Sequence, residues 1–149
     1  MNTRKLWRGL TLPVSELWLA AEALALLAVA RIVLILLPFR IAMRWLGLRL
    51  ERGGSEEMDG VAGAPFVLSV ADAVRRGASV APFRAVCLQQ AVAAALMLRR
   101  RGHAVQVYFG VAKERDGTMT AHAWSRCRGI LVTGGKQMPR YQPISVFVT

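Results

Sequence analysis

The sequence predicts an α+β fold in which helices come first and an antiparallel sheet follows. Three observations carry that expectation. Apolar residues recur at helical spacing as far as Arg101, and after Gly102 they alternate as in a strand. The pairs Asp116-Gly117 and Arg128-Gly129 then punctuate the second part as turn signals.

From Leu17 to Leu37 almost every residue is apolar. A first helix is expected to open at Ser15, an N-cap residue before Glu16, and to run to about Leu37, where Pro38 interrupts it. A second short helix fits Arg40 to Leu48. Gly and charged residues between Glu51 and Gly63 read as a loop. The chain thus divides into an apolar helical region (1–50), a linker (51–65) and a core carrying the candidate chemistry (66–149). Ser69 with Asp72 resembles a capping box, opening a helix that ends at Arg76 before Gly77. After Pro82 another helix covers about Ala85 to Arg101, with Leu88, Val92, Ala95 and Leu96 on one face. Val105, Val107, Phe109 and Val111 form the core face of a first strand. A second strand is predicted from Met119 to Cys127, a third from Ile130 to Thr133, and a last from Ile144 to Val148, together an antiparallel meander.

The length, 149 residues, fits one modest core. A formal net charge of +11 attracts acidic peptide, anionic lipid or nucleic acid. No aromatic ladder accompanies the densest basic run, Arg99-Arg100-Arg101, which argues against nucleic acid. Two cysteines, Cys87 and Cys127, are too few to staple a small secreted domain, so a reducing cytoplasm is expected. No cysteine or histidine spacing suits zinc. Arg4, Lys5 and Arg8 ahead of an apolar run imitate a targeting signal, but Glu16 and Glu22 break the run. Glu22 and Arg31 also leave uncharged stretches well short of the ~20 residues a membrane span needs. A buried or interface helix is preferred, and peripheral contact with the inner face of a membrane stays open.

Cys87 is expected in the first turn of its helix, where unpaired N–H groups and the positive helix end favour a thiolate. Most free cysteines are buried hydrophobes, and Cys127, on the strand face opposite His122, reads that way. His122 shares a strand face with Thr120 and Trp124, and Trp124 is expected to wall a cleft. A thiol and an imidazole brought together would perform acyl chemistry. The group orienting the imidazole is open. After Asp116 there is no carboxylate, leaving Thr133, Gln137, Asp116 or Glu114 from the preceding turn, or a backbone carbonyl. Arg84 suits a substrate carboxylate, and Gln89 and Gln90 are candidate amides for the cleft or an oxyanion. His103 reads as structural.

The blocks Arg84-Ala85-Val86-Cys87-Leu88, Leu98 to Gly102, Phe109-Gly110-Val111 and Ala121-His122-Ala123-Trp124 resemble the lasso-peptide maturation proteases, the transglutaminase-like B proteins. The resemblance covers Phe66 to Phe147 and extends loosely to Leu37-Pro38-Phe39-Arg40. It implies a papain-like cysteine peptidase that removes the leader from a ribosomally made precursor, with Cys87 as nucleophile and His122 as base. The family's aspartate has no acidic match here; the equivalent stretch is Leu131-Val132-Thr133-Gly134-Gly135. The implied partners are the precursor's leader region, a separate leader-recognition protein and an ATP-dependent macrolactam synthetase. The chain has no P-loop glycine pattern, so no bound cofactor is expected and any ATP requirement falls on the assembled system. The competing readings are a non-catalytic peptide-binding scaffold of the same fold and a membrane-associated adaptor.

Overall fold

A computed structural model describes residues 12–52 and 64–149. Most of the predicted linker falls outside the described residues. Helix α1 spans Val14–Leu36, and α2 spans Phe39–Trp45. The start of α1 differs from the expectation. The carbonyl of Pro13, not a serine side chain, accepts from Glu16 and Leu17 N–H, so Ser15 lies inside the first turn. Leu37 turns extended (φ −115°, ψ 145°) because a residue before proline is pushed out of the helical region. After α2, Gly47 takes a left-handed φ of 77° and releases the chain into β1, Arg49–Leu50.

Helix α3 spans Ala64–Val80. Two local signals predicted a shorter element, and both have other uses here. The Ser69 hydroxyl donates back to the Pro65 carbonyl (3.0 Å), four residues earlier, so it sits inside the helix. Gly77 does not stop the helix. It is buried where α1 crosses, and a Cβ there would lie 3.1 Å from the Leu24 nitrogen. A missing side chain lets two helices approach closely.

Helix α4, Cys87–Arg99, is buried on every side from Ala91 to Leu98. It packs against α1, α3, β3 and β4, which explains why its alanine-rich middle shows little amphipathic pattern. Gly102 (φ 80°) ends this segment. Strand β2 is Gln106–Lys113, β3 Met119–Cys127, β4 Ile130–Thr133 and β5 Gln142–Val148. Gly117 (φ 88°) sits in the β2–β3 turn, and Arg128 and Gly129 (φ 52° and 75°) form the two-residue β3–β4 turn. A short 3₁₀ turn at Met138–Arg140 precedes β5.

The sheet order is β1-β5-β2-β3-β4, and every pair is antiparallel. Only β2, β3 and β4 form the expected meander. The last strand returns to the far side of β2 and brings β1 in as an edge. One hydrophobic core joins Ala23 and Ala30 of α1, Met43 of α2 and Val70 of α3 to Val92 and Leu98 of α4. From the sheet it takes in Val107, Ala123, Cys127 and Phe147.

Candidate active site

The start of α4 is built by its own glutamines. Val86 is extended (φ −76°, ψ 165°), and its N–H donates to Gln89 Oε1 at 3.3 Å. Gln90 Nε2 donates to the Ala85 carbonyl at 2.8 Å. Both amides therefore hold the loop-to-helix junction, a use that the oxyanion reading of the sequence did not anticipate. Cys87 is the first helical residue and half-buried. Gln90 N–H reaches the Val86 carbonyl. The N–H groups of Cys87, Leu88 and Gln89 precede the first intrahelical bond and point out of the helix start.

His122 lies on β3 opposite Gly110 and is 7% exposed. Its Nε2 is 2.9 Å from the Gly134 carbonyl oxygen. A carbonyl can only accept, so Nε2 carries the proton and Nδ1 is the acceptor of the neutral ring. The Tyr141 ring lies 5.0 Å from the imidazole and Trp124 6.1 Å, with Tyr108 stacked on Trp124 at 5.5 Å. Strand alternation separates this aromatic face from Ala123 and Cys127, which face the helices.

Cys87 and His122 line one groove of about 740 Å³. Arg84, Gln90, Thr133, Gly134 and Gln137 line it too, with Arg75 and Lys136, and among its described lining residues there is no carboxylate. Cys87 enters from the helix side and His122 from the aromatic face of β3. No hydrogen bond joins the two side chains among the described residues. Thiol and imidazole are nonetheless the residue types that nucleophilic acyl transfer employs.

Several predicted site residues sit elsewhere or are otherwise engaged. Asp116 stays at the β2–β3 turn, where it accepts from the Thr118 N–H (3.0 Å) and hydroxyl (2.6 Å); those bonds hold its carboxyl below the usual range. Glu114 accepts from Thr120 and pairs with Arg140. Trp124 does not line the groove. It is 2% exposed, because Tyr108 covers it and it backs the imidazole from behind. Thr133 does line the groove, but its hydroxyl is bonded to that of Ser125 (2.8 Å), away from the imidazole. Arg84 is exposed, and its carbonyl accepts from Arg31 Nη1 at 3.2 Å. Cys127 is buried, which pushes its thiol pKa up, as expected of a core filler. His103 stacks on Phe66 with centroids 6.0 Å apart.

The groove residues that sequence reasoning did not name are Gly134 as the imidazole's partner, Arg75, Lys136 and, behind the imidazole, Tyr141. Gly134 entered only within the stretch equivalent to the family's aspartate, and a backbone carbonyl leaves no side-chain signature. Among the described residues no group of histidine, cysteine and acidic side chains could hold a metal ion.

No curated protein and no solved structure matches the chain. A family model described as transglutaminase-like superfamily matches residues 33–146, from the last turn of α1 to β5, and takes in both Cys87 and His122. That match covers well over half of the chain, and the protein belongs to the transglutaminase-like superfamily.

Proposed function

We propose that the protein is a cysteine peptidase that removes the leader from a ribosomally synthesised lasso-peptide precursor. The observation that carries this reading is the shared groove, with a thiol at a helix start and an imidazole whose Nδ1 is the acceptor. The superfamily includes cysteine peptidases, which supports the reaction class. The lasso-peptide assignment rests on the resemblance of the Cys-Leu, Gly-Val and Ala-His-Ala-Trp blocks.

In the proposed reaction His122 Nδ1 takes the Cys87 proton and the thiolate attacks the scissile carbonyl carbon. The oxygen takes up negative charge near the N–H groups that open α4. The C–N bond then breaks as His122 returns the proton to the leaving amine, and water hydrolyses the thioester to free the thiol and a carboxylate. The Gly134 carbonyl fixes the tautomer and ring orientation in place of a carboxylate, although it cannot stabilise the imidazolium with a full charge. This transfer requires Cys87 Sγ to come within hydrogen-bond reach of Nδ1 in the substrate complex. The precursor would arrive through a separate leader-recognition protein and pass to an ATP-dependent macrolactam synthetase. ATP would act on that assembly and not on this chain, and the reaction would take place in the cytoplasm.

The test is cleavage of a precursor incubated with the recognition protein and the synthetase, read by mass. Cys87→Ala and His122→Ala proteins that remain folded are expected to lose at least about a thousandfold in rate. Wild-type turnover in both would remove the mechanism. A second reading is a non-catalytic peptide-binding scaffold, favoured by the lack, among the described residues, of a Cys87–His122 hydrogen bond and of a carboxylate at the imidazole. It predicts that alkylating Cys87 leaves processing by the assembled system unchanged.

A further inference from the structure

Helix α1 is apolar on both sides: Ala23, Leu27 and Ala30 pack into the core, and the charges flank that inner row. It carries three charged residues, and all three are turned toward the rest of the fold. Glu16 pairs with Arg76 of α3 at 2.8 Å. Glu22 pairs with Arg101 at 2.6 Å and Arg100 at 3.3 Å, beyond the end of α4. Arg31 donates to the Arg84 carbonyl and lies 5.2 Å from the centre of the Phe83 ring. The opposite side presents Val14, Trp18, Val29, Ile32, Ile35 and Leu36, all exposed, with Trp18 at 72% and Leu36 at 73%. Ala21 and Ala25 fill the row, so the apolar face runs the length of a helix about 35 Å long. Past Pro38 the exposed surface continues on α2 with Ile41 and Trp45, now beside the exposed Arg40 and Arg44.

Charge selects the occupant. Between Glu22 and Glu51 the chain has no acidic residue and carries Arg31, Arg40, Arg44 and Arg49. Exposed apolar side chains, tryptophans and flanking arginines are the composition that binds the headgroup layer of an anionic bilayer. The helix is long and apolar enough to cross a membrane. Crossing would strip it from α3 and α4, break its ion pairs and carry Glu22 and Arg31 into hydrocarbon, where ionised side chains are costly. Lying flat keeps every one of those contacts.

We propose that the outward face of α1, continued by α2, docks the protein onto an anionic membrane surface, with α1 lying in the interfacial layer and its inner face still packed on α3 and α4. The experiment uses full-length protein and flotation with vesicles of phosphatidylcholine, with or without phosphatidylglycerol. Wild type is expected to float with the phosphatidylglycerol vesicles, more weakly at high salt, and to be released by alkaline carbonate. Ile32→Gln/Ile35→Gln/Leu36→Gln alters only exposed positions and is expected to weaken partition about tenfold or more. Arg40→Gln/Arg44→Gln is expected to reduce the preference for phosphatidylglycerol while leaving the folded state intact. Failure of wild type to float, or partition unchanged in the triple variant, overturns the proposal. So does resistance to carbonate, which would indicate a span. A dimer formed without vesicles and dissolved by the same triple substitution also overturns it, because a second copy would then be the occupant. Peptide cleavage is not part of the readout, so the outcome is independent of the catalytic reading.

Discussion

Gly134 holds a left-handed φ of 77°, and a Cβ there would lie 2.7 Å from both the Ala123 carbonyl oxygen and Trp124 Cβ, and 3.0 Å from His122 Nε2. The close approach that brings its carbonyl to the imidazole also excludes a side chain. Gly134→Ala is therefore expected to destabilise the fold by about 2 kcal/mol or more, from backbone strain and overpacking together, as read by denaturant unfolding. Under the proposed mechanism it also lowers the rate of leader cleavage in protein that remains folded. An unchanged unfolding midpoint would mean that the loop relaxes and the imidazole is held otherwise. Cys87 and His122 were legible as groove residues because their types and their places at a helix start and in a strand are written in the chain. Gly134 was not, since its contribution is a main-chain oxygen. Asp116 drew attention by its chemistry, yet the turn that made it visible also keeps it from the groove.

Among the elements, α3 shows how one residue type supports two readings. A glycine after eight helical residues reads as a stop, and only the crossing of α1 reveals it as a contact point. The expected consequence is specific. Gly77→Leu places a bulky side chain against the Leu24 backbone and Ala23 Cβ and is expected to cost about 1–3 kcal/mol in unfolding free energy by overpacking. Gly102→Ala, with no atom within 4 Å of its Cβ, meets no such contact and is penalised through its positive φ alone. Undiminished stability of Gly77→Leu, measured by chemical denaturation, would show that the helix crossing leaves room for a side chain there. The strands β3 and β4 were legible to the residue because alternation and the Arg128-Gly129 turn agree. The place of β5 was not, because alternation identifies a strand and its faces but carries no record of which neighbour it pairs with.

For the molecule as a whole, the helix-then-sheet order was legible, whereas the attachment of the N-terminal helix to the helices beneath it was not. Nine residues apart on α1, Glu22 and Arg31 look like isolated charges in an apolar run, and their partners lie far along the chain. Glu22 is the clearest of these ties. Hydrogen bonding to Arg101, reinforced by the charges of Arg101 and Arg100, holds its carboxyl below the ordinary value of 4.5 despite partial burial. A depressed folded-state value means that the contribution is fully present above the unfolded value and is lost as pH falls through the folded one. Glu22→Gln is expected to cost about 1 kcal/mol near neutral pH, the upper range for a paired but solvent-accessible carboxylate. Other carboxylates titrate in the same window, so the quantity to measure is the difference between wild type and variant. That difference should be widest at neutral pH and close progressively below 4.5. Added salt should narrow it at neutral pH as well, since Arg100 stands largely in solvent and its attraction is screened. A difference independent of pH would mean that the substitution acts through packing and not through the ion pair, leaving the apolar contacts at Ala23, Leu27 and Ala30, with the Glu16–Arg76 pair and the Arg31 contacts, to hold α1 to the fold.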